Sequence, residues 1–536
     1  MLNSMRKKIL SAVLLPIVIA VFFSGCKTSG EIVVPLEDGE AVWGGHIKDG
    51  SLMPFAPGFE TSLSYNLSNQ VNPLLLTSEG KYIWSDAPFS FRIQENSVVI
   101  TGNSAPVEWE KAGKTLSDAF KAASRKHFPS DGVLPPSEFY RFPQYNTWIE
   151  LMYDQNQEGV LSYAEGILSN GLPPGIIMID DTWQEDYGKW VFHPGRFPDP
   201  KAMCDQLHAM GFKLMLWICP FVSMDQYQIC REIMEGKGFL LTGARSWEEA
   251  SDPYPVRWWN GTSAVLDFSN EAALEWFNAQ LRRLMDDYGV DGFKFDAGDF
   301  DFYPSDALAK GGDVPAWEQC SLFVENAASF PYNELRAGWR NAGRPIVQRL
   351  HDKSHSWEDL HKLIPEMMAE SLMGFSFCCP DMVGGGSFET FLSGKTDPDL
   401  IVRSAQVHAL MPMMQFSLAP WRVLDKERYD AVLGCVALRN SLLPRIESLF
   451  LRAASTGEPI VAPLEYVFPH EGLENVVDQF MLGDSLLVAP MLDKGTSRSV
   501  ILPSGQWRSL DGGAILEGGT YTIDVPIDIL PVFERL

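Results

Sequence analysis

Across residues 146–440, short apolar runs alternate with longer amphipathic stretches of helical period, and that alternation restricts the chain to a parallel α/β architecture. Strands are expected at residues 147–152, 176–180, 213–218, 290–296, 345–350, 374–380 and 412–416. Helices fall between them. Residues 200–210 form one, and within 271–288 Ala273, Leu274, Phe277, Leu281 and Leu284 recur on one face. Seven or eight such units in roughly 300 residues predict a (β/α)8 TIM barrel with insertions.

One of these runs, Val290-Asp291-Gly292-Phe293-Lys294-Phe295-Asp296, ends on a carboxylate rather than on turn residues. Strands covered on both faces read as nearly unbroken apolar runs, so Lys294 and Asp296 need a reason to be there. In a barrel, side chains at the C-terminal strand ends face the site, which makes Asp296 a candidate reactive group. The competing reading is a Lys294–Asp296 ion pair filling the barrel interior.

The flanks have a different texture. Residues 31–143 carry short strand-like segments, among them Ser97-Val98-Val99-Ile100 and Leu63-Ser64-Tyr65-Asn66-Leu67, between Gly, Pro and Asn, and are expected to form an N-terminal β-sandwich. A helix at 116–126 and the Pro135-Pro136 pair lead into the barrel at 144–440. Short strands are expected again in 441–536, as one or two C-terminal β-domains. The first 26 residues resemble a bacterial lipoprotein signal: Arg6, Lys7 and Lys8, an apolar stretch from Ile9 to Phe23, then Ser24-Gly25-Cys26. Cys26 is the expected lipidation site. The chain is then exported and lipid-anchored to a bacterial membrane, facing the periplasm or the cell surface, with no membrane contact beyond that anchor. The other seven cysteines show neither zinc-site spacing nor an even count for a disulfide framework, and are expected to be buried small hydrophobes.

A formal net charge of −26 argues against nucleic acid as a partner. The 16 Trp residues point instead toward sugar, because indole faces stack on the apolar faces of pyranose rings. Acids and indoles also gather at the expected strand ends. Asp180, Asp181 and Trp183 follow one run, Trp217 ends another, and Arg257-Trp258-Trp259-Asn260 precedes Asp267; Asp296, Asp299, Arg349, Asp352 and Asp381 come later. Two carboxyl groups in one barrel mouth can perform glycoside hydrolysis, one beside the anomeric carbon and one protonating the leaving oxygen. Spacing alone does not say which two.

The segments Met178 to Asp181, Leu216 to Val222, Arg257 to Asp267, Phe293 to Asp299, Arg349 to Trp357, Pro380 to Gly385 and Met414 to Trp421 resemble glycoside hydrolase family 31, and the likeness runs from about Trp148 to Leu536. The resemblance implies a retaining enzyme with a barrel flanked by β-domains, a carbohydrate substrate with a terminal α-linked sugar, and no metal or organic cofactor. It implies that Asp296 is the nucleophile and Asp352 the general acid/base; for Asp352 the alternative read from its neighbours is a solvated loop acid in His351-Asp352-Lys353. Asp381 competes for the second role, although its Asp-Met-Val-Gly-Gly context matches a family turn whose acid supports the sugar site. Asp180, Trp217, Trp259, Asn260, Lys294 and Arg349 are expected to bind substrate. For Arg349 a structural salt bridge is the alternative, and Trp217 and Trp259 could instead pack beneath the pocket. Asp181 joins the binding set or caps the following turn, Lys294 contacts substrate or keeps Asp296 ionised, and Asp267 is expected to support the site from behind. Lys294 stands where glucose-specific members carry Trp, and residues 413–417 lack the sugar-contacting histidine of many α-glucosidases. Both departures follow the α-galactosidase-like branch. An α-glucosidase, an α-xylosidase and an inactive sugar-binding lipoprotein remain as alternatives, and the oligomeric state is open.

Overall fold

The computed structural model describes residues 30–65 and 69–536, so Cys26 and the expected signal segment lie outside the described residues. Eight parallel strands form the barrel: β1 (Gln144–Asn146), β2 (Ile176–Ile179), β3 (Lys213–Ile218), β4 (Gly292–Phe295), β5 (Tyr332–Leu335), β6 (Val347–Arg349), β7 (Cys378–Cys379) and β8 (Gln415–Phe416). From β1 to β7 each strand pairs with its successor, β8 pairs with β1, and between β7 and β8 a parallel bridge from Met382 to Gln415 closes the ring. The (β/α)8 barrel flanked by sheet domains is therefore the fold of this chain.

Two strand expectations change. Residues 147–152 are not a strand: pairing ends at Asn146, whose Oδ1 accepts the Trp148 amide at 2.8 Å, and the chain turns into the short helix Trp148–Leu151. The apolar pair Trp148-Ile149 imitated a strand because both side chains are buried at the barrel mouth. Conversely β5 was not expected, because Tyr332-Asn333-Glu334-Leu335 carries too little apolar character to register as a barrel strand. Its buried Glu334 is held by other strands, Oε2 accepting from Gln415 and Oε1 facing Arg349.

Seven long helices cover the barrel: Gln157–Ser169, Pro200–Ala209, Glu271–Tyr288, Ala316–Ala327, Trp357–Leu372, Pro398–Ala409 and Lys426–Ser441. Local chemistry sets their ends. The Asn270 side chain accepts the Ala272 amide at one end of Glu271–Tyr288, and Gly289, at φ 81°, stops it at the other, a conformation that costs glycine little. No helix lies between β5 and β6. There Gly338–Trp339 pairs in parallel with Gln70–Val71 of the N-terminal domain, so the sandwich occupies the place of a barrel helix.

That sandwich stacks a four-stranded sheet (Ile32–Pro35, Ser97–Thr101, Ser90–Gln94, Glu60–Ser62) on a sheet built from Val42–His46, Gln70–Thr77, Lys81–Ser85 and Val107–Lys111. Pairing in the 63–67 region ends with the Leu63 amide on the Phe89 carbonyl; the Leu63 side chain is buried, and Asn66 and Leu67 lie outside the described residues. Gly50 packs so closely on the helix Trp357–Leu372 that a Cβ there would stand 2.6 Å from the Glu366 Cα, which requires glycine at that docking point. At the other end, Leu443–Thr456 continues as helix beyond residue 440, and strands resume only at Val461–Ala462. The last 80 or so residues form one six-stranded antiparallel sheet. All seven described cysteines are free thiols and six are buried. No helix among the described residues is long and apolar enough to cross a membrane.

Candidate active site

Strand alternation sends Phe293 and Phe295 outward, against Phe330 and Phe323, and leaves Lys294 and Asp296 on the inner side. The two do not pair with each other. Lys294 Nζ binds Asp180 Oδ2 at 2.6 Å across the barrel. Asp296 Oδ2 accepts the Trp217 indole N–H at 2.9 Å, and its Oδ1 stands 3.6 Å from Arg336 Nε with no hydrogen-bond partner. Burial would raise this carboxyl, but Arg336, Lys294, Arg349 and the indole bond outweigh burial and hold it well below the usual carboxylate range. The result is an ionised carboxylate with one free oxygen.

Arg336, two residues beyond Glu334, also binds Asp299 Oδ2 at 2.6 Å and stacks 5.4 Å from the Trp259 ring, which is 47% exposed. Burial raises the Asp299 carboxyl against the pull of Arg336. Arg349, at the end of β6, donates through Nη1 to Asp381 Oδ1 at 2.6 Å and to Asp352 Oδ1 at 2.9 Å, while its Nε lies 3.4 Å from Glu334 Oε1. Asp381 is fully enclosed; burial raises it although Arg349 opposes, and its Oδ2 accepts the Lys353 amide at 2.8 Å. Asp352 is the open one, its side chain 35% exposed. Gly386 leaves it that room: a Cβ there would stand 2.7 Å from Asp381 Oδ1 and 3.2 Å from Asp352 Oδ1.

A second group surrounds the end of β2. The Thr147 hydroxyl accepts the Asp180 amide, and Asp180 Oδ1 accepts the amide of Asp181. The Asp181 carboxyl takes the Gln184 side chain in the following turn at 3.5 Å, and it also reaches beyond that turn. It accepts Asn260 Nδ2 at 2.7 Å and the Tyr187 hydroxyl at 3.1 Å. Burial, then the charge of Asp180, pushes Asp181 up to about 7. Tyr187 meets Trp217 and Trp258 edge-on, and those two indoles lie nearly parallel, 6.5 Å apart. Three of the seven described non-glycine residues at positive φ stand here, Thr182, Ala297 and Asp381 at 75°, 56° and 71°, in the left-handed region that side chains other than glycine's seldom enter.

The barrel mouth thus gathers Asp180, Asp181, Trp217, Trp259, Asn260, Lys294, Asp296, Asp299, Arg349, Asp352 and Asp381. Asp267 stands apart, binding Ser269, Gln319 and the Lys310 amide to fix a neighbouring loop. Glutamine at 415 faces inward to Gln144 and Glu334 rather than toward the mouth. Sequence reading missed Arg336, Glu334 and Tyr187. The available signal was the alternation of Tyr332, Glu334 and Arg336 after the Phe330-Pro331 break, which gives a strand with one charged face.

Residues 134–449 match the glycosyl hydrolases family 31 TIM-barrel domain, and residues 457–536 match the glycosyl hydrolase family 31 C-terminal domain. The chain is 34% identical over 433 residues to the myogenesis-regulating glycosidase of Mus musculus, covering 78% of this chain and 59% of that one. It is 27% identical over 371 residues to a 1,3-alpha-isomaltosidase of Kribbella flavida, covering 64% and 50%. It therefore spans only half to three fifths of the length of these relatives. A dextranase of family 31 from Flavobacterium johnsoniae, solved with glucose, superimposes with a TM-score of 0.83 at 18% identity over 95% of this chain and 67% of that one, a likeness of fold. With the barrel model alone matching more than half of its length, the chain belongs to glycosyl hydrolase family 31.

Proposed function

We propose that the protein is a retaining exo-acting α-glycosidase that releases terminal α-linked galactose from oligosaccharides or glycoconjugates. The observation that carries this reading is Asp296: a buried carboxylate held ionised, with Oδ1 free, in one mouth with the partly exposed Asp352. Asp296 Oδ1 attacks the anomeric carbon while Asp352 gives its proton to the departing oxygen, so the glycosidic C–O bond breaks as the glycosyl–Asp296 ester forms. Asp352, now ionised, takes a proton from water, whose oxygen displaces Asp296 and frees the sugar with retained configuration. Arg349 steadies the ionised Asp352, and Asp381 shares that guanidinium. Asp180, Asp181 and Asn260 accept and donate hydrogen bonds to sugar hydroxyls, with Trp217 and Trp259 as apolar walls. This chemistry calls for no metal or organic cofactor.

Galactose is favoured by the Lys294–Asp180 pair, which puts a charged hydrogen-bonding face where an indole would present an apolar one. Glucose or xylose release is the second reading, favoured by an alpha-glucosidase of Bacillus thermoamyloliquefaciens and an alpha-xylosidase of Lactiplantibacillus pentosus, each 26% identical to this chain. An inactive sugar-binding lipoprotein is disfavoured because Asp296 and Asp352 are both present. Export with a lipid on Cys26 remains part of the proposal, checked by loss of membrane association in Cys26→Ala. Turnover of p-nitrophenyl α-galactoside, α-glucoside and α-xyloside by the wild type and Asp296→Asn tests the assignment. Preference for glucose or xylose rejects galactose; sugar binding without turnover of any glycoside rejects the enzyme.

A further inference from the structure

The loop that carries Asp352 is held from outside the barrel. Asn69 and Gln70 belong to the sandwich and, like Gln348, are fully buried. Asn69 Oδ1 accepts the His351 amide at 3.2 Å, and Asn69 Nδ2 donates to Gln70 Oε1 at 2.8 Å. Gln70 Nε2 donates in turn to Gln348 Oε1 at 2.8 Å and to the Arg349 carbonyl at 3.2 Å. The sandwich therefore grips the backbone on both sides of Leu350, two residues before Asp352. The barrel grips the same stretch from its other flank, where Leu350 N–H donates to the Cys379 carbonyl and Lys353 N–H to Asp381. Between β5 and β6, where no helix covers the barrel, Gly338–Trp339 pairs with Gln70–Val71 and fixes the register of this contact.

We propose that Asn69 and Gln70 are positioning residues for proton donation: the relay Asn69–Gln70–Gln348/Arg349, with the Asn69–His351 bond, sets where Asp352 stands relative to the leaving oxygen. The inference rests on Asp352 being the proton donor. Both residues are fully enclosed and their side-chain bonds go to each other and to residues 348–351, so they act through the loop. The N-terminal domain is then part of the acid-catalytic apparatus and not only a flank of the barrel.

The test uses the full chain and a series of aryl glycosides of the sugar it releases, with leaving-group pKa from about 4 to about 10, since dependence on general-acid help grows as the leaving group worsens. In Asn69→Ala, kcat/KM for the poorest leaving group is expected to fall about 10-fold or more, as a displaced reacting group costs rate steeply. For the 2,4-dinitrophenyl glycoside, whose departure needs no proton, the change is expected to stay within about 2-fold. A steeper leaving-group dependence supports the proposal. A loss equal across the series, or none, overturns it, whatever happens to thermal stability. Should Asn69→Ala not fold, Asn69→Ser is read by the same criterion. Asp352→Ala separates the two claims: a flat series in that variant overturns the role of Asp352 itself, whereas a steep series there with a flat one at Asn69 overturns only the relay.

Discussion

The ends of β2 and β4 present the same residue type in the same burial and arrive at opposite charge behaviour. Asp181 and Asp296 are both enclosed, and enclosure alone raises a carboxyl. Around Asp296 stand Arg336, Lys294 and Arg349, and the carboxyl falls well below its usual range. Around Asp181 stand a second acid, Asp180, and the neutral donors Tyr187 and Asn260, and the carboxyl climbs to about 7. The placement of cations, not burial, separates a group suited to attack a carbon from one suited to exchange hydrogen bonds with a hydroxyl.

The largest test of this contrast is to remove each carboxylate as an isostere. Asp296→Asn is expected to lower kcat by at least about 10⁴-fold with sugar affinity retained, because the group that forms the bond is gone and its neighbours remain. Calorimetric binding alongside single-turnover assays checks both halves. Asp181→Asn is expected to leave kcat within about 10-fold and act chiefly on KM, as loss of a group that binds ground and transition states alike does. A comparable collapse of kcat in Asp181→Asn would erase the distinction.

Arg336→Met comes next and attacks the cause instead of the group. Without that cation Asp296 loses its strongest opposing charge, its pKa rises, and the acid limb of the kcat/KM profile moves to higher pH. A loss of about 10²-fold at neutral pH is expected, comparable to removing one preorganised charge-stabilising group from other active sites. An unmoved acid limb would mean that Lys294 and Arg349 suffice.

How much of this contrast was readable beforehand follows from what each element is made of. The carboxyl at 296 stood out because it ends an apolar run, and the acid pair at 180–181 for the same reason; a polar residue where burial is written into the neighbours is conspicuous. Arg336 stood out only through its alternation with Tyr332 and Glu334, because β5 hides its burial: Asn333 binds the Phe330 carbonyl and the Val347 amide, and Glu334 meets Gln415 and Arg349, contacts that local sequence does not announce. Residues 147–152 erred the opposite way, since Trp148 and Ile149 are buried by tertiary packing while the Asn146 side chain turns the backbone. The role of Lys294 could not be settled from the chain either. Its partner, Asp180, is 114 residues away.

Asp181 also makes the contrast measurable in stability. A carboxyl raised in the folded state keeps its proton after the unfolded chain has released it, so its contribution is full below pH 4 and is lost as pH rises toward 7. Asp181→Asn removes that slope. Thermal unfolding of the variant relative to wild type is expected to improve between pH 4 and pH 8 by on the order of 1–3 kcal/mol. A constant difference across that range would place the Asp181 pKa near its ordinary value.

The smallest effects come from two adjacent residues that face the two groups. Trp259 and Asn260 form one hairpin tip between Pro255–Trp258 and Gly261–Val265, with the Trp259 ring against Arg336 and Asn260 Nδ2 on Asp181. Trp259→Ala removes a half-exposed cation–π contact worth about 0.5–1 kcal/mol, so kcat/KM is expected to fall only several-fold. It leaves Asp181 untouched. Asn260→Ala removes a donor to the ionised form of Asp181, which raises that carboxyl further and moves the pH dependence of KM upward while the acid limb set by Asp296 stays in place. Profiles of kcat/KM and KM for the two variants read the two groups separately through neighbouring side chains. If Trp259→Ala shifts the KM profile, or Asn260→Ala shifts the acid limb, the two carboxyls titrate as one coupled site and the division between the ends of β2 and β4 does not hold.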